Sequence, residues 1–163
     1  MKMKLQTVTL GCSKNKVDTE HILSQVEGLY EIIPEGEDIP VDVLLLNTCG
    51  FIGDAKEESI QAVLEAVDRK ACGEVGKVIV FGCLSQRYGH ELPDLIPEVD
   101  AWFGAREFDP VIRALGVEPD RSKDAERYLT TPSHYAYLKI SEGCDRRCSY
   151  CAIPFIRGAH KSV

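Results

Sequence analysis

Three cysteines lie within eight positions near the end of the 163-residue chain: Cys144, Cys148 and Cys151, the C-terminal trio. They are separated by three and then two residues in the stretch EGCDRRCSYCAIPF. Thiolates this close together need a soft metal to share their negative charge. Structural zinc favours paired C-x2-C arms, and no second pair accompanies this trio. A redox pair at Cys148 and Cys151 would not require Cys144. An iron–sulfur cluster with three protein ligands fits the spacing best.

A second set of cysteines is spread along the chain: Cys12, Cys49 and Cys83, the N-terminal trio. Each follows an apolar run of strand length and lies next to a glycine. These glycines are Gly11, Gly50 and Gly82. Ligand sites in open α/β sheets form at the carboxyl ends of strands, and glycine lets backbone approach a ligand closely. We therefore expect the three thiols to share one site. For any one of them, the alternative is an inert, buried cysteine.

Strand and helix patterns alternate along the part of the chain that must position the N-terminal trio. Hydrophobic periodicity predicts five strands, at 5–10, 30–33, 41–46, 77–82 and 99–104, and three helices, at 17–29, 54–69 and 108–115. This alternation predicts an α/β fold with an open, mainly parallel sheet that is flanked by helices. The seventh cysteine, Cys72, precedes a strand, so we expect it at the opposite edge of the sheet and outside the site.

The composition changes near residue 117. Residues 118–133 are polar and charged and contain two prolines, so we predict a linker there. The linker separates an N-terminal domain at 1–117 from a second unit at 134–163. In this second unit a strand is predicted over 134–141, and it leads directly into the loop of the C-terminal trio.

Charge and hydropathy limit the possible partners. The formal net charge is −7, from 19 basic and 26 acidic residues, so we predict no direct nucleic-acid binding by this chain. The apolar runs are too short to span a bilayer or to form a signal peptide, so no membrane partner is expected. Seven cysteines, an odd number, point to metal binding or redox chemistry in a reducing compartment rather than to disulfides. These features predict a cytoplasmic protein.

Both cysteine trios together resemble the radical S-adenosylmethionine (SAM) methylthiotransferases, which attach a methylthio group to an unactivated carbon. The resemblance rests on GCSKNKVD, NTCGFI, FGCLSQRY and the C-x3-C-x2-C spacing, and it covers essentially the whole chain. It implies two 4Fe–4S clusters. The N-terminal trio would hold an auxiliary cluster that carries the sulfur. The C-terminal trio would hold the cluster that binds and cleaves SAM, with Tyr150 beside the adenine.

Two motifs look like the branch of this family that modifies the β-carbon of an aspartate in small-subunit ribosomal protein twelve. In the tRNA-modifying branch, other residues usually stand at Ser13, Lys14, Phe51 and Ile52. The resemblance therefore implies a ribosomal protein as substrate. The alternatives are a tRNA-adenosine methylthiotransferase and a non-catalytic, flavodoxin-like docking domain.

Members of the family are longer than this chain. We therefore expect the chain to be a truncated piece that has only the first strand and cluster loop of an incomplete radical SAM barrel, and to be inactive alone. Near the first two cysteines, Asn15, Asn47 and Thr48 are expected to form turns and caps, with hydrogen bonds to cluster sulfides as the alternative. Arg157 and Gly158 resemble a family motif, but no role is predicted for them.

Overall fold

The computed structural model describes residues 1–163 and contains one five-stranded sheet and one two-stranded sheet. The strands are β1 (Met3–Thr9), β2 (Tyr30–Ile33), β3 (Val41–Thr48), β4 (Val75–Gly82), β5 (Ala101–Trp102), β6 (Ser141–Glu142) and β7 (Lys161–Ser162). The helices are α1 (Ser13–Val26), α2 (Gly53–Ala71), α3 (Cys83–Tyr88), α4 (Leu92–Leu95), α5 (Phe108–Ala114) and α6 (Ile153–Arg157), with one 3₁₀ turn at Arg121–Lys123.

The five-stranded sheet is parallel throughout, with the strand order β2-β1-β3-β4-β5. This confirms the predicted α/β class and the open parallel sheet. Thr9 of β1 is in register with Asn47 of β3, and Thr48 is in register with Gly82 of β4. The carboxyl ends of these three adjacent strands therefore lie at one edge. The strand order reverses between β1 and β3, the place where open α/β sheets form ligand sites.

Helices cover both faces of the sheet, because its central strands are apolar on both sides. On one face α1 and α5 pack against side chains that include Leu5, Leu45 and Phe81. On the other face α2 packs against side chains that include Leu44 and Val80. The side chains named here are at most 2% exposed. Both layers hold the strand ends rigidly in place.

Several element boundaries differ from the predicted ones. Helix α1 begins at Ser13 rather than near residue 17, because its polar first turn lies over the edge of the sheet and shows no apolar periodicity. Helices α3 and α4 were not predicted, since six and four residues are too few to display a helical repeat. Strand β5 has only two residues. No helix of this chain is long and apolar enough to cross a membrane.

The segment predicted as a linker, 118–133, packs along α1. The Tyr128 amide donates a hydrogen bond to the Glu20 carbonyl at 3.0 Å, and the Thr130 amide donates to the Glu20 carboxylate at 2.9 Å. Gln25 exchanges two hydrogen bonds with the backbone of Asp120, at 2.9 and 3.0 Å. The composition of the segment does not predict these contacts, because hydrogen bonds between polar groups leave no apolar pattern in the sequence.

The strand predicted over 134–141 is wrong, apart from its last residue. Residues 134–140 form no regular strand, and β6 begins only at Ser141, where it pairs antiparallel with β7. A strand needs a neighbour to pair with, and no strand of the chain lies beside 134–140. Leu138 and Ile140 are consequently 82% and 69% exposed.

Candidate metal centre at the carboxyl edge of the sheet

The N-terminal trio follows three adjacent strands. Cys12 follows β1 and occupies the N-cap position of α1. Cys49 follows the last residue of β3, and Cys83 is the first residue of α3, directly after β4. Cys12 is exposed, Cys49 is half-buried and Cys83 is buried. Three positions that are 37 and 34 residues apart in sequence therefore reach the same edge, as predicted from the strand pattern.

Gly11 brings the loop of Cys12 against Cys49. Its φ of +89° is in the left-handed region, and a Cβ added there would lie 2.7 Å from Cys49 Cβ and 3.0 Å from Cys49 Sγ. The third thiol borders the same group of side chains, because Cys83 Sγ donates to Asn15 Oδ1 at 4.0 Å and Asn15 Nδ2 would lie 3.2 Å from a Cβ at Gly11. Burial raises the pKa of the Cys83 thiol, and the negative charges of Cys49 and Cys12 raise it further, against the opposing charge of Arg157. The three thiols are electrostatic neighbours.

The glycines beside the cysteines serve close packing within the protein. At Gly82, whose φ is +110°, an added Cβ would lie 2.6 Å from Asn47 Oδ1 and 2.6 Å from the Thr48 carbonyl oxygen. The role expected for these glycines from the sequence is to let the backbone approach a ligand closely. In the structure, the closest atoms at both Gly11 and Gly82 belong to the end of β3 and to Cys49 after it. This close packing fixes the spacing of the cysteine loops.

Two asparagines tie the strand ends together. Asn15 Nδ2 donates to the Leu10 carbonyl at 2.8 Å and to the Thr48 carbonyl at 3.3 Å. Asn47 Nδ2 donates to the Asn15 carbonyl at 2.8 Å. Both side chains are at most 1% exposed, and Asn47 Oδ1 has no partner. These residues therefore link the loop of Cys12 to the end of β3, a larger task than the predicted turn or cap.

The C-terminal trio lies on one loop closed by backbone hydrogen bonds. The Cys144 amide donates to the Gly158 carbonyl at 3.0 Å, and the Cys151 amide donates to the Cys148 carbonyl at 3.1 Å. Cys148 is exposed and the other two are half-buried. Tyr150, predicted to lie beside adenine, is 88% exposed.

An open cavity of about 410 Å³ separates this loop from α3, the helix that Cys83 begins. Its lining includes Tyr150, Cys151 and Phe155 on one side and Gln86 and Arg87 on the other. The two trios therefore lie on neighbouring parts of the molecule, with α3 and α6 in contact. Ile156 of α6 belongs to the same small buried cluster as Cys83 and Ala105.

Arg157, for which the sequence predicts no role, lies at the centre of a buried polar network in this region. It is 4% exposed, and its guanidinium donates to Asp18 Oδ2 at 2.7 Å, to Glu142 Oε2 at 3.2 Å and to Asn15 Oδ1. Burial lowers the pKa of this guanidinium, but the charges of Asp18, Cys83 and Glu142 raise it, and the net pKa lies above its ordinary value. The only signal in the sequence is the family-like motif that Arg157 forms with Gly158 after the cysteine loop.

The donor set of each trio suits a soft metal, since each offers three sulfur ligands. No group of three or more histidine, cysteine or carboxylate side chains has the arrangement of a single metal-ion site. The thiolates of an iron–sulfur cluster each bind a different iron, so cluster ligands are spaced more widely than the ligands of one ion. Cys72 is exposed at the end of α2, at the opposite edge of the sheet, and touches neither trio.

Comparison with known proteins identifies one matching family model, described as "Uncharacterized protein family UPF0004", over residues 4–104. Among curated proteins, the chain is 50% identical over 160 residues to "Ribosomal protein uS12 methylthiotransferase RimO" of Bacteroides thetaiotaomicron. Proteins of the same name from Porphyromonas gingivalis and Cytophaga hutchinsonii are each 48% identical. These alignments cover 98–99% of the chain and 37% of each relative.

Proposed function

The chain belongs to the family described as UPF0004, and from this premise we propose that it is the N-terminal part of a radical SAM methylthiotransferase with two 4Fe–4S clusters. The observation that carries the proposal is the placement of the N-terminal trio. Three cysteines from distant parts of the sequence follow three adjacent parallel strands and meet at one edge. A docking domain with bystander cysteines would have no reason for this arrangement.

In this proposal the N-terminal trio holds an auxiliary cluster and the C-terminal trio holds the cluster that binds SAM. When bound, the clusters would supply the radical chemistry that cleaves SAM and the sulfur that is transferred. The task of the chain itself is to hold the six thiols. The sheet fixes the N-terminal trio, and the backbone hydrogen bonds of the loop fix the C-terminal trio.

The open cavity between α3 and the cysteine loop is the proposed site of SAM. Tyr150 and Phe155 offer aromatic surface at its border, and Gln86 and Arg87 offer hydrogen-bond donors. A nucleoside with a charged amino-acid group suits such a lining, because its base stacks on an aromatic ring while its polar groups pair with the opposite wall.

The proposed substrate of the longer protein is ribosomal protein uS12, modified at the β-carbon of an aspartate. The relatives that are named for this activity share about half of their residues with the chain. The net charge of −7 also suits a basic ribosomal protein as partner. The proposed location is the cytoplasm, where ribosomes are assembled and where free thiols persist.

The test uses a protein of the relatives' full length that carries this chain at its N-terminus. The reconstituted protein is given SAM, a reductant and an equal mixture of uS12 and tRNA, and mass spectrometry measures the methylthio group on each. The proposal predicts modification of uS12 alone. Modification of tRNA alone would assign the protein to the tRNA branch, and no modification of either would contradict the proposed reaction.

A further inference from the structure

We propose that Arg157 is a positioning residue that fastens the loop of the C-terminal trio onto the N-terminal trio, and that its charge raises the reduction potential of the cluster held there. Arg157 contributes no sulfur ligand, so nothing in the proposed function assigns it a role. The second part of this inference rests on the proposed function. The first part concerns the folded chain alone.

The positive charge of the buried Arg157 is balanced within a network of four charged side chains. Its guanidinium pairs with Asp18 at 2.7 Å and with Glu142 at 3.2 Å. Lys139 pairs with the same two carboxylates, each at 2.6 Å. Two cations and two anions balance, so the buried guanidinium carries no uncompensated charge. Asp18 belongs to α1, whereas the other three residues belong to the C-terminal segment, so the set connects these two parts of the chain.

Hydrogen bonds extend from Arg157 to every strand end that carries a cysteine of the N-terminal trio. Asn15 Oδ1 accepts from Arg157, while Asn15 Nδ2 donates to the carbonyls of Leu10 and Thr48. Leu10 lies two residues before Cys12, and Thr48 directly precedes Cys49. Asn15 Oδ1 also accepts a long hydrogen bond from the Cys83 thiol, with 4.0 Å between Sγ and Oδ1. Arg157 is thus connected to all three cysteine positions through one amide, that of Asn15.

Arg157 is equally tied to the other cysteine loop. It is the last residue of α6, and the next residue, Gly158, accepts the backbone hydrogen bond of Cys144 at 3.0 Å. Ile156, beside it, shares a small buried cluster with Cys83 and Ala105. Displacement of the Arg157 side chain would therefore separate the C-terminal trio from the sheet edge. The fixed distance between the two trios depends on this contact.

The charge of Arg157 has a second consequence. Reduction adds an electron to a cluster, and a nearby cation stabilises the more negative state. Replacing Arg157 with a neutral residue should therefore lower the reduction potential of the cluster on the N-terminal trio. A tenfold loss in the reduced-to-oxidised equilibrium constant corresponds to about 59 mV for one electron.

The test compares Arg157→Met and Arg157→Lys with wild type. Arg113→Met is the matched control, because it removes the same charge from an ion pair at an exposed position of α5. In the metal-free chain, hydrogen exchange of residues 144–158 should become roughly a hundredfold faster in Arg157→Met, the size of effect expected when one partner of a buried ion pair is removed. It should not change in the control. Unchanged exchange in Arg157→Met would overturn the docking role whether or not the chain binds a cluster.

The second measurement is the reduction potential of the reconstituted chain, with the C-terminal trio replaced by alanine so that one cluster contributes. Arg157→Met should lower the potential by about 59 mV or more. Arg157→Lys keeps the charge but loses the paired geometry of the guanidinium, so it should accelerate exchange and leave the potential near wild type. An unchanged potential in Arg157→Met would overturn the electrostatic role. If Arg157→Met does not fold, the lysine variant and Asp18→Asn, which removes one anchor, decide the docking role by the same exchange measurement.

Discussion

Gly11→Ala tests whether the cysteine loops owe their spacing to close packing at the sheet edge. The substitution puts a Cβ at a backbone position with φ of +89°, 2.7 Å from Cys49 Cβ and 3.0 Å from Cys49 Sγ. Such distances are far below van der Waals contact. Either the loop that carries Cys12 or the side chain of Cys49 must move, and each movement changes the arrangement of the N-terminal trio.

The expected loss of stability has two parts. The left-handed backbone costs about 1–2 kcal/mol for a residue with a Cβ. Overpacking against Cys49 adds about 1–3 kcal/mol. Gly36→Ala is the matched control, since its φ is +90° and no atom lies within 4 Å of the added Cβ. It should show only the first part. The difference between the two variants isolates the contact with Cys49.

Urea denaturation of the metal-free chain measures the free energy of unfolding of both variants, and anaerobic reconstitution with iron and sulfide measures the metal they bind. Gly11→Ala should unfold with a free energy about 1–3 kcal/mol below that of Gly36→Ala and should bind less iron. Gly36→Ala should bind as much iron as wild type. Equal stability and equal iron in the two variants would refute the packing argument.

Three further predictions concern residues outside the two cysteine trios. Glu20→Ala should lower the free energy of unfolding by about 3 kcal/mol, because it leaves Arg127, 3.4 Å away, and the Thr130 amide without their buried carboxylate partner. Limited proteolysis should then cut segment 118–133. Burial raises the pKa of Asp100, but Lys70 and a backbone N–H lower it more, so the net pKa lies below its ordinary value of 3.8. The stabilisation by Asp100 should therefore be present above pH 3.8 and disappear as pH falls through the lowered pKa. Asp100→Asn should remove this acid dependence of the free energy of unfolding, which urea denaturation at several pH values measures. Cys72→Ser should leave the iron content after reconstitution unchanged; a loss of iron would contradict its exclusion from both sites.

The sheet and its longer helices were predictable, because strands buried on both faces leave continuous apolar runs and amphipathic helices leave a periodic apolar pattern. Strands β3 and β4 show this most clearly, with nearly every residue buried. Convergence of the N-terminal trio followed from the same pattern, since parallel strands end at one edge. The strand over 134–141 failed for a related reason. An apolar, aromatic pattern indicates a capacity to pair, but pairing requires a neighbouring strand, which the sequence of the segment does not encode.

The polar contacts of the site were not predictable from sequence. Arg157 and Asp18 are 139 positions apart, and no periodicity connects them. Asn15 was expected to act locally as a turn residue, yet its side chain bridges β1, β3 and the C-terminal segment. Such contacts depend on the relative placement of packed elements. They become visible only when the fold has brought distant residues together.

Spatial convergence of the N-terminal trio is the central claim, and the most direct test is iron and sulfide per chain after anaerobic reconstitution. Wild type is compared with two variants, in which one trio or the other is replaced by alanine. The account predicts about eight irons and eight sulfides in wild type and about half of each in either variant, since each trio holds one 4Fe–4S cluster. Iron that stays at the wild-type level when Cys12, Cys49 and Cys83 are all replaced would contradict the account.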